Sequence, residues 1–147
     1  MTKTIHSIAG GIALLMILTF WLSTALSELF ASVDAITTVK TLIPWGFLIL
    51  VPALAVAGGS GFQMARKRRG PLVETKKKRM PIIAANGILI LIPSALFLSF
   101  KAQAGAFDTW FYAIQALELV AGAVNFTLLG LNMRDGLRMT GKMRRRT

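Results

Sequence analysis

Four long stretches almost free of charged residues constrain this chain more than any other feature of its sequence. The stretches are Thr4–Ser27, Thr41–Ala65, Met80–Phe100 and Thr109–Met133, and the last contains a single acid, Glu118. A helix needs about 20 apolar residues to cross the hydrocarbon core of a bilayer, and each stretch is that long. The sequence therefore predicts an all-α membrane protein, a single domain with four transmembrane helices at roughly 4–30, 41–65, 80–100 and 108–134.

The composition agrees with this fold class and excludes several others. The mean hydropathy is +0.63, and charged residues make up 16% of the 147 residues, whereas a typical soluble domain has about a quarter. A soluble globular domain and a disordered chain are therefore excluded. The chain has no cysteine, which excludes disulfides, thiolate metal sites and cysteine nucleophiles.

The distribution of basic residues predicts how the helices are oriented. All but two of the 17 Lys and Arg residues precede helix 1, separate helices 2 and 3, or follow helix 4. The two exceptions, Lys40 and Lys101, fall in the short predicted loops at roughly 31–40 and 101–108. Basic loops stay cytoplasmic, so we expect an up-down bundle in a bacterial inner membrane, with both termini inside. The basic runs contain no interleaved aromatics, which favours the lipid bilayer over nucleic acid as their partner.

A polar stripe on helix 4 is the first candidate site. Gln115, Glu118, Gly122 and Asn125 fall within an arc of about 80° on a helix, so they share one face. An ionisable residue deep in a span is a functional candidate. We predict a buried polar cluster of Glu118, Gln115, Asn125 and Asn86 from helix 3. Glu118 either stays neutral in a hydrogen bond between helices or carries protons.

The only histidine, His6, is the second candidate. Gly10 follows His6 at a spacing that places both residues on one face of helix 1, beside a slot with few side chains. Helix 3 repeats the pattern, since Met80 is followed at helical spacing by Gly87. A flat macrocycle needs such a slot. The pattern predicts a haem whose iron is bound by His6 and Met80, a ligand pair found in electron-transfer haems.

Two further methionines and two arginines lie near the same membrane level. Met64 ends helix 2 and Met133 ends helix 4, so either is an alternate to Met80 as the second iron ligand. Arg79 and Arg134 are placed to pair with haem propionates. A histidine that simply lies at the interface, with methionines in an apolar core, is the alternative interpretation.

Helix 1 also resembles a known class of haem protein. His6 followed by Gly10 and an apolar run is similar to the first helix of the cytochrome b561 and PepSY-associated membrane helix families. The resemblance covers about one helix and implies a small haem-b bundle that passes electrons, usually with quinone at one side, in which His6 binds the iron and Gly10 packs beside it. Ser7-Ile8 stands where those families often have Arg-Trp, and a second histidine is missing. The second ligand is therefore a methionine, or the partner's His6 in a homodimer. The remainder of the chain resembles bacterial membrane proteins.

Three functions follow from these residues. The favoured one is b-type haem binding for electron transfer or haem handling. The second is a small proton-coupled transporter that uses Glu118, similar in helix number to the small multidrug-resistance proteins, whose deep acid lies on helix 1 instead. The third is a non-catalytic accessory subunit of a larger membrane complex. A hydrolase is not expected, because His6 lies at the opposite membrane face from Asp34 and Asp108. One histidine with few carboxylates also argues against a conventional metal site.

Overall fold

The computed structural model describes residues 1–141, and these residues are almost entirely helical. The elements are α1 (Thr2–Phe30), α2 (Val33–Arg66), α3 (Pro71–Asn86), a π-helical turn (Gly87–Leu91), α4 (Ile92–Gln103) and α5 (Thr109–Met139). Because α3, the π-helical turn and α4 are continuous, the described chain has four helices long and apolar enough to cross a membrane, as predicted. Four of the basic residues used to predict the topology lie outside the described residues: Lys142, Arg144, Arg145 and Arg146.

The four long helices pack in a ring in which neighbours in sequence are neighbours in space. α1 packs against α2 and α5, and the α3–α4 helix packs against the same two. α2 and α5 therefore face each other along one diagonal of the bundle. We call the end with the loops at 31–32 and 104–108 the hairpin end. The opposite end, with residue 1 and the loop at 67–70, is the termini end.

α2 begins earlier than the sequence predicted, and the difference moves Lys40 from a loop into the bundle. The Ser32 hydroxyl caps the helix by accepting a hydrogen bond from the Ala35 N–H at 3.4 Å. Asp34 lies in the first turn, where a negative charge stabilises the partial positive charge of the helix N-terminus. Helix α2 therefore starts at Val33, about two turns before Lys40, and the Lys40 side chain is only 1% exposed.

The third long helix also begins earlier than predicted, at Pro71 instead of residue 80. Proline is well suited to the first position of a helix because its fixed φ fits the helix and its missing N–H would have no partner there. The Lys-rich segment that follows consists of good helix formers. The predicted loop of residues 66–79 thus shortens to residues 67–70.

The π-helical turn is explained by Pro93. A proline lacks an N–H and its ring clashes with the carbonyl four residues earlier, here that of Leu89. The chain accommodates this with one wider turn, in which the Ile92 N–H bonds to the Gly87 carbonyl. Such turns occur often where a helix carries a local irregularity. The turn lies midway along the third long helix, directly after Asn86.

Candidate functional site

A large cavity opens at the termini end among α1, α2 and α3. Its volume is about 420 Å³, and His6 lines it. The other lining residues are chiefly small, thioether-bearing or basic: Gly58, Gly61, Ala65, Ala84, Met64, Met80, Met139, Arg68, Lys76 and Lys77. Within residues 1–141, no acidic side chain is part of this wall. The cavity therefore combines an imidazole, three thioethers and three cations in a space bounded partly by bare backbone.

The His6 ring is fixed by α2. Its Nδ1 lies 3.0 Å from the Ala57 carbonyl oxygen and 3.2 Å from the Ser60 hydroxyl oxygen. A carbonyl oxygen only accepts hydrogen bonds, so Nδ1 carries the proton and donates it. In the neutral ring this leaves the lone pair on Nε2. Metal-binding histidines are commonly oriented by this kind of hydrogen bond from the other ring nitrogen.

A glycine allows the His6 ring to lie this close to α2. A Cβ added at Gly61 would lie 3.0 Å from His6 Cε1 and 3.4 Å from Nδ1. Ala57, Ser60 and Gly61 were not predicted from the sequence to belong to the site. The available signal was the run Gly58-Gly59-Ser60-Gly61, which lies within α2 at the same level as His6. Whether this run of residues faces His6 depends on the rotation of α2 about its axis.

The structure places the predicted haem residues in two groups. Met64 and Met80 line the cavity together with His6, and the Met80 sulfur accepts a hydrogen bond of 3.4 Å from the Asn132 amide. Met133 is not part of the cavity wall and is 48% exposed. Met139, which was not predicted from the sequence, lines the cavity instead.

The two predicted slot glycines also lie elsewhere. A Cβ added at Gly10 would meet nothing within 4 Å, and one added at Gly87 would lie 3.7 Å from the Asn125 amide, away from the cavity. Gly58 and Gly61 of α2 form the small-residue wall instead. The slot was predicted on α1 and α3 because those helices carry the candidate ligands. In the structure, the glycines that line the cavity belong to α2.

The predicted propionate partners, Arg79 and Arg134, are both placed against an acid of α5. Arg79 Nη1 lies 2.7 Å from Asp135 Oδ2, and Arg134 Nε lies 3.6 Å from Asp135 Oδ1. The Asp135 side chain is 3% exposed, so this ion pair joins α3 to α5 inside the bundle. Arg68, Lys76 and Lys77 are the cations that line the cavity.

A second polar site lies toward the hairpin end and centres on Glu118. Lys40 Nζ lies 2.5 Å from Glu118 Oε2, with 1% and 12% of the two side chains exposed. Lys40 also donates to the Thr24 hydroxyl at 3.4 Å, and the Gln115 amide donates to Glu118 Oε2 at 3.4 Å. Glu28 lies one turn beyond Thr24 on the same face of α1, with its Oε1 buried. We call Thr24, Glu28, Lys40, Gln115 and Glu118 the hairpin-end cluster.

Asn86 and Asn125 form a separate pair, so the structure divides the predicted polar cluster. Asn86 Nδ2 donates to the Ala121 carbonyl and to Asn125 Oδ1, each at 2.8 Å. Asn125 Nδ2 donates to the Ile83 carbonyl at 3.4 Å. The predicted partner of Glu118 was Asn86, but the observed partner is Lys40. Helix α2 begins at Val33, so Lys40 lies inside the helix and its side chain reaches across the bundle to α5.

Comparisons with models of protein families, with curated proteins and with solved structures gave no match. The resemblance of α1 to cytochrome b561 stays a prediction. Within residues 1–141, no three His, Asp or Glu side chains gather into a group that could hold a metal ion on their own. A metal at the termini-end cavity would therefore rest on His6, on thioethers and on a ligand that the metal brings with it.

Proposed function

We propose that this protein binds one b-type haem in the termini-end cavity and serves in electron transfer or haem handling within a membrane. The observation that carries the proposal is the orientation of His6. Its Nδ1 is held by the Ala57 carbonyl at 3.0 Å, which leaves the Nε2 lone pair on a ring that lines a cavity of about 420 Å³. That arrangement is typical of an imidazole prepared for a metal.

The surface of the bundle supports the membrane setting. Only 17–28% of the most apolar window of each long helix is buried inside the bundle, so most of that apolar surface faces outward. Exposed side chains include Leu15, Leu48 and Leu89, each at least 65% exposed. An exposed apolar surface of this extent is favourable in contact with lipid and unfavourable in contact with water. By the positive-inside rule the termini end faces the cytoplasm of a bacterium.

The donor set of the cavity fits a haem. His6 would hold the haem iron through a ring nitrogen, and Met80 or Met64 would supply a sulfur ligand, a pair used by electron-transfer haems. Gly61 leaves room for the His6 ring against α2, and an added Cβ at Gly58 would lie 3.8 Å from Met80 Cε, so both candidate ligands lie beside glycines of the cavity wall.

The three cations of the wall, Arg68, Lys76 and Lys77, are placed to neutralise carboxylates on the ligand. When bound, the haem supplies a one-electron redox couple. The chain itself orients the imidazole, supplies the sulfur and lines the site largely with apolar side chains.

The test is a visible spectrum of the detergent-purified protein, oxidised and then reduced with dithionite, after expression with added haem precursor. We expect the narrow reduced α-band of a six-coordinate b-type haem, with one haem per chain. His6→Ala should abolish that band. A colourless wild-type protein, or an unchanged spectrum in His6→Ala, would overturn the proposal.

Methionine variants assign the second ligand with a control supplied by the chain. Met80→Ala and Met64→Ala each remove a thioether from the cavity wall, whereas Met133→Ala removes one that lies outside it. We expect one of the first two variants to change the reduced spectrum from six-coordinate to five-coordinate and to raise the affinity for carbon monoxide. Met133→Ala should leave both unchanged.

A further inference from the structure

We propose that the hairpin-end cluster is a proton-binding site in which one proton is held among Glu28, Gln115 and Glu118 and exchanges through the hairpin end. The proposal concerns the opposite end of the bundle from His6 and does not depend on haem binding. It rests on the charge of the cluster, on two buried oxygens without a donor, and on the shape of the surroundings.

The charge of the cluster is the first observation. Lys40 is the single cation, and it contacts Glu118 directly. Glu28 lies one turn beyond Thr24 on the same face of α1, and the Thr24 hydroxyl accepts a hydrogen bond from Lys40, so Glu28 stands beside the ion pair with one carboxylate oxygen buried. With all three groups ionised, the cluster carries one net negative charge, shared between largely buried Glu118 and half-buried Glu28 at the edge of a bundle of apolar helices. An uncompensated buried charge is costly, and addition of one proton removes it.

Two acceptor oxygens in the cluster have no donor. Glu28 Oε1 and Gln115 Oε1 are buried and lack a hydrogen-bond partner among the described residues. The Gln115 residue is only 4% exposed, and its Nε2 donates to Glu118, so the amide lies at the cluster. Buried acceptors are almost always satisfied. A protonated carboxyl group, or a water molecule that carries the proton, supplies the donor that these two oxygens lack.

Among the described residues, Lys40 is the cation that contacts the cluster, and Lys101 at the end of α4 is paired with Asp108 instead. α1 contributes Thr24 and Glu28, α2 contributes Lys40, and α5 contributes Gln115 and Glu118. Toward the middle of the bundle the adjoining cavity, of about 60 Å³, is walled by Glu118 and by apolar side chains, among them Phe20, Trp21 and Phe47 of α1 and α2. The α4 residue beside it, Ala95, carries no charge.

The same geometry determines the direction of exchange. Glu28 lies in the last turn of α1, next to the loop at 31–32, whereas Glu118 lies deeper along α5. The apolar wall separates Glu118 from the termini end. A proton therefore enters and leaves past Glu28, and Lys40 holds Glu118 in place as the deeper acceptor. Lys40 and Gln115 are positioning residues in this site.

Infrared spectroscopy of the full chain in lipid nanodiscs tests the proposal. A protonated carboxyl group has a C=O stretching band that a carboxylate lacks. We expect the wild-type protein to keep such a band above the pH range near 4.3 in which ordinary glutamates ionise. The band should shift in deuterated water and should disappear in Glu28→Gln or Glu118→Gln. Glu74→Gln is the matched control, because Glu74 is 61% exposed on α3 and pairs with Lys77.

Circular dichroism shows whether each variant folds. Where a variant does not fold, the spectrum of the wild-type protein alone decides the outcome. Absence of the band in wild-type protein at every pH above the ordinary glutamate range would overturn the proposal, because both acids would then be ionised. A band that is absent in sodium buffer and appears only in choline buffer would also overturn it, since the added charge would then be a sodium ion. A band unchanged in well-folded Glu28→Gln and Glu118→Gln would assign it to another acid and contradict the site.

Discussion

Lys40 and Glu118 join two helices that do not pack against each other. Nζ and Oε2 lie 2.5 Å apart, although α2 and α5 occupy opposite corners of the bundle and share no close backbone contact. The long lysine side chain crosses the interior to reach its partner. The pair therefore restrains the rotation of α2 relative to α5 across a diagonal where the two helices share no close backbone contact.

Removing one member of this pair should destabilise the protein more than removing both. Lys40→Met leaves the Glu118 carboxylate without its cation in the interior, and loss of one partner from a buried pair costs about 3–5 kcal/mol. The double variant Lys40→Met with Glu118→Leu buries apolar atoms in place of two charges, and we expect it to recover most of that loss. Thermal unfolding in one detergent, followed by circular dichroism, measures both.

The exposed pair on α3 supplies the control for this comparison. Lys77 Nζ lies 3.2 Å from Glu74 Oε1, with 41% and 61% of the side chains exposed. Exposed pairs contribute about 0–1 kcal/mol, so Glu74→Gln, which breaks this pair without touching the cavity wall, should leave the unfolding temperature nearly unchanged. A double variant of the buried pair that is less stable than Lys40→Met alone would contradict the prediction.

The number of long apolar helices was predictable, because the bilayer imposes a minimum length and a composition that charge-free stretches satisfy. The lengths of two of them were underestimated, since α2 begins at Val33 and the third long helix at Pro71. The position of Lys40 was not predicted, because a charged residue was taken as the boundary of a span. Ser32, with Asp34 two residues later, is a helix N-terminus signal that places Lys40 inside α2. Lys40 and Glu118 then lie at similar depths, each about two turns or slightly more from the hairpin end.

The residues of the candidate cavity were predictable in height along the bundle but not in which helix faces meet. Membrane level follows from the sequence, so His6, Met64 and Met80 could be placed at one height, and all three line the cavity. Which face of α2 meets His6 depends on side-chain packing around the whole ring, and no periodicity in α2 alone reveals it. Ala57, Ser60 and Gly61 were therefore missed as the partners of the imidazole.

Gly122 should not tolerate a side chain, because it lies against Trp21. A Cβ at Gly122 would lie 2.9 Å from Trp21 Cδ1, and the indole N–H donates to the Leu119 carbonyl at 2.8 Å. Gly122→Ala would push the indole off this carbonyl and loosen α1 from α5. We expect a loss of about 1–3 kcal/mol, as for other overpacked interiors, measured by thermal unfolding.

Gly130 on the same helix is the matched control. A Cβ there would meet nothing within 4 Å, and alanine favours a helix by up to about 1 kcal/mol over glycine. Gly130→Ala should therefore be neutral or stabilising. Equal losses in the two variants would show that the cost belongs to the helix and not to the indole of Trp21.

Gly61→Ala should act on the termini-end cavity without removing any of its donors. The new methyl group would lie 3.0 Å from His6 Cε1, so the ring must move away from α2 and its hydrogen bond to Ala57 must lengthen. We expect weaker haem binding and a broader reduced α-band than in the wild type. Gly59→Ala, where the added Cβ has open space, should leave the spectrum unchanged. Identical spectra for both variants would contradict the assigned role of Gly61.

Asp108 links α4 to α5 at the hairpin end, and its ionisation should make the stability of the folded protein decrease at acid pH. Its carboxylate accepts a hydrogen bond from the Phe111 N–H at 3.0 Å, which caps α5, and it lies 2.5 Å from Lys101 Nζ at the end of α4. The hydrogen bond from Lys101, followed by the one from the Phe111 N–H, holds the pKa of Asp108 below its ordinary value of 3.8. The folded state therefore favours the ionised form.

The sign of the pH effect follows from this lowered pKa. A carboxyl group with a lower pKa in the folded state stabilises the protein above its unfolded value, and that contribution disappears as the pH falls through the folded value. Asp108→Asn keeps a capping oxygen but loses the charge, and asparagine caps helices well. We expect Asp108→Asn to unfold at a lower temperature than wild type at neutral pH, with the difference shrinking below about pH 3.8. Asp108→Ala removes the cap as well, so it should remain less stable than wild type at every pH. A difference between Asp108→Asn and wild type that does not change with pH would show that the ion pair with Lys101 contributes nothing.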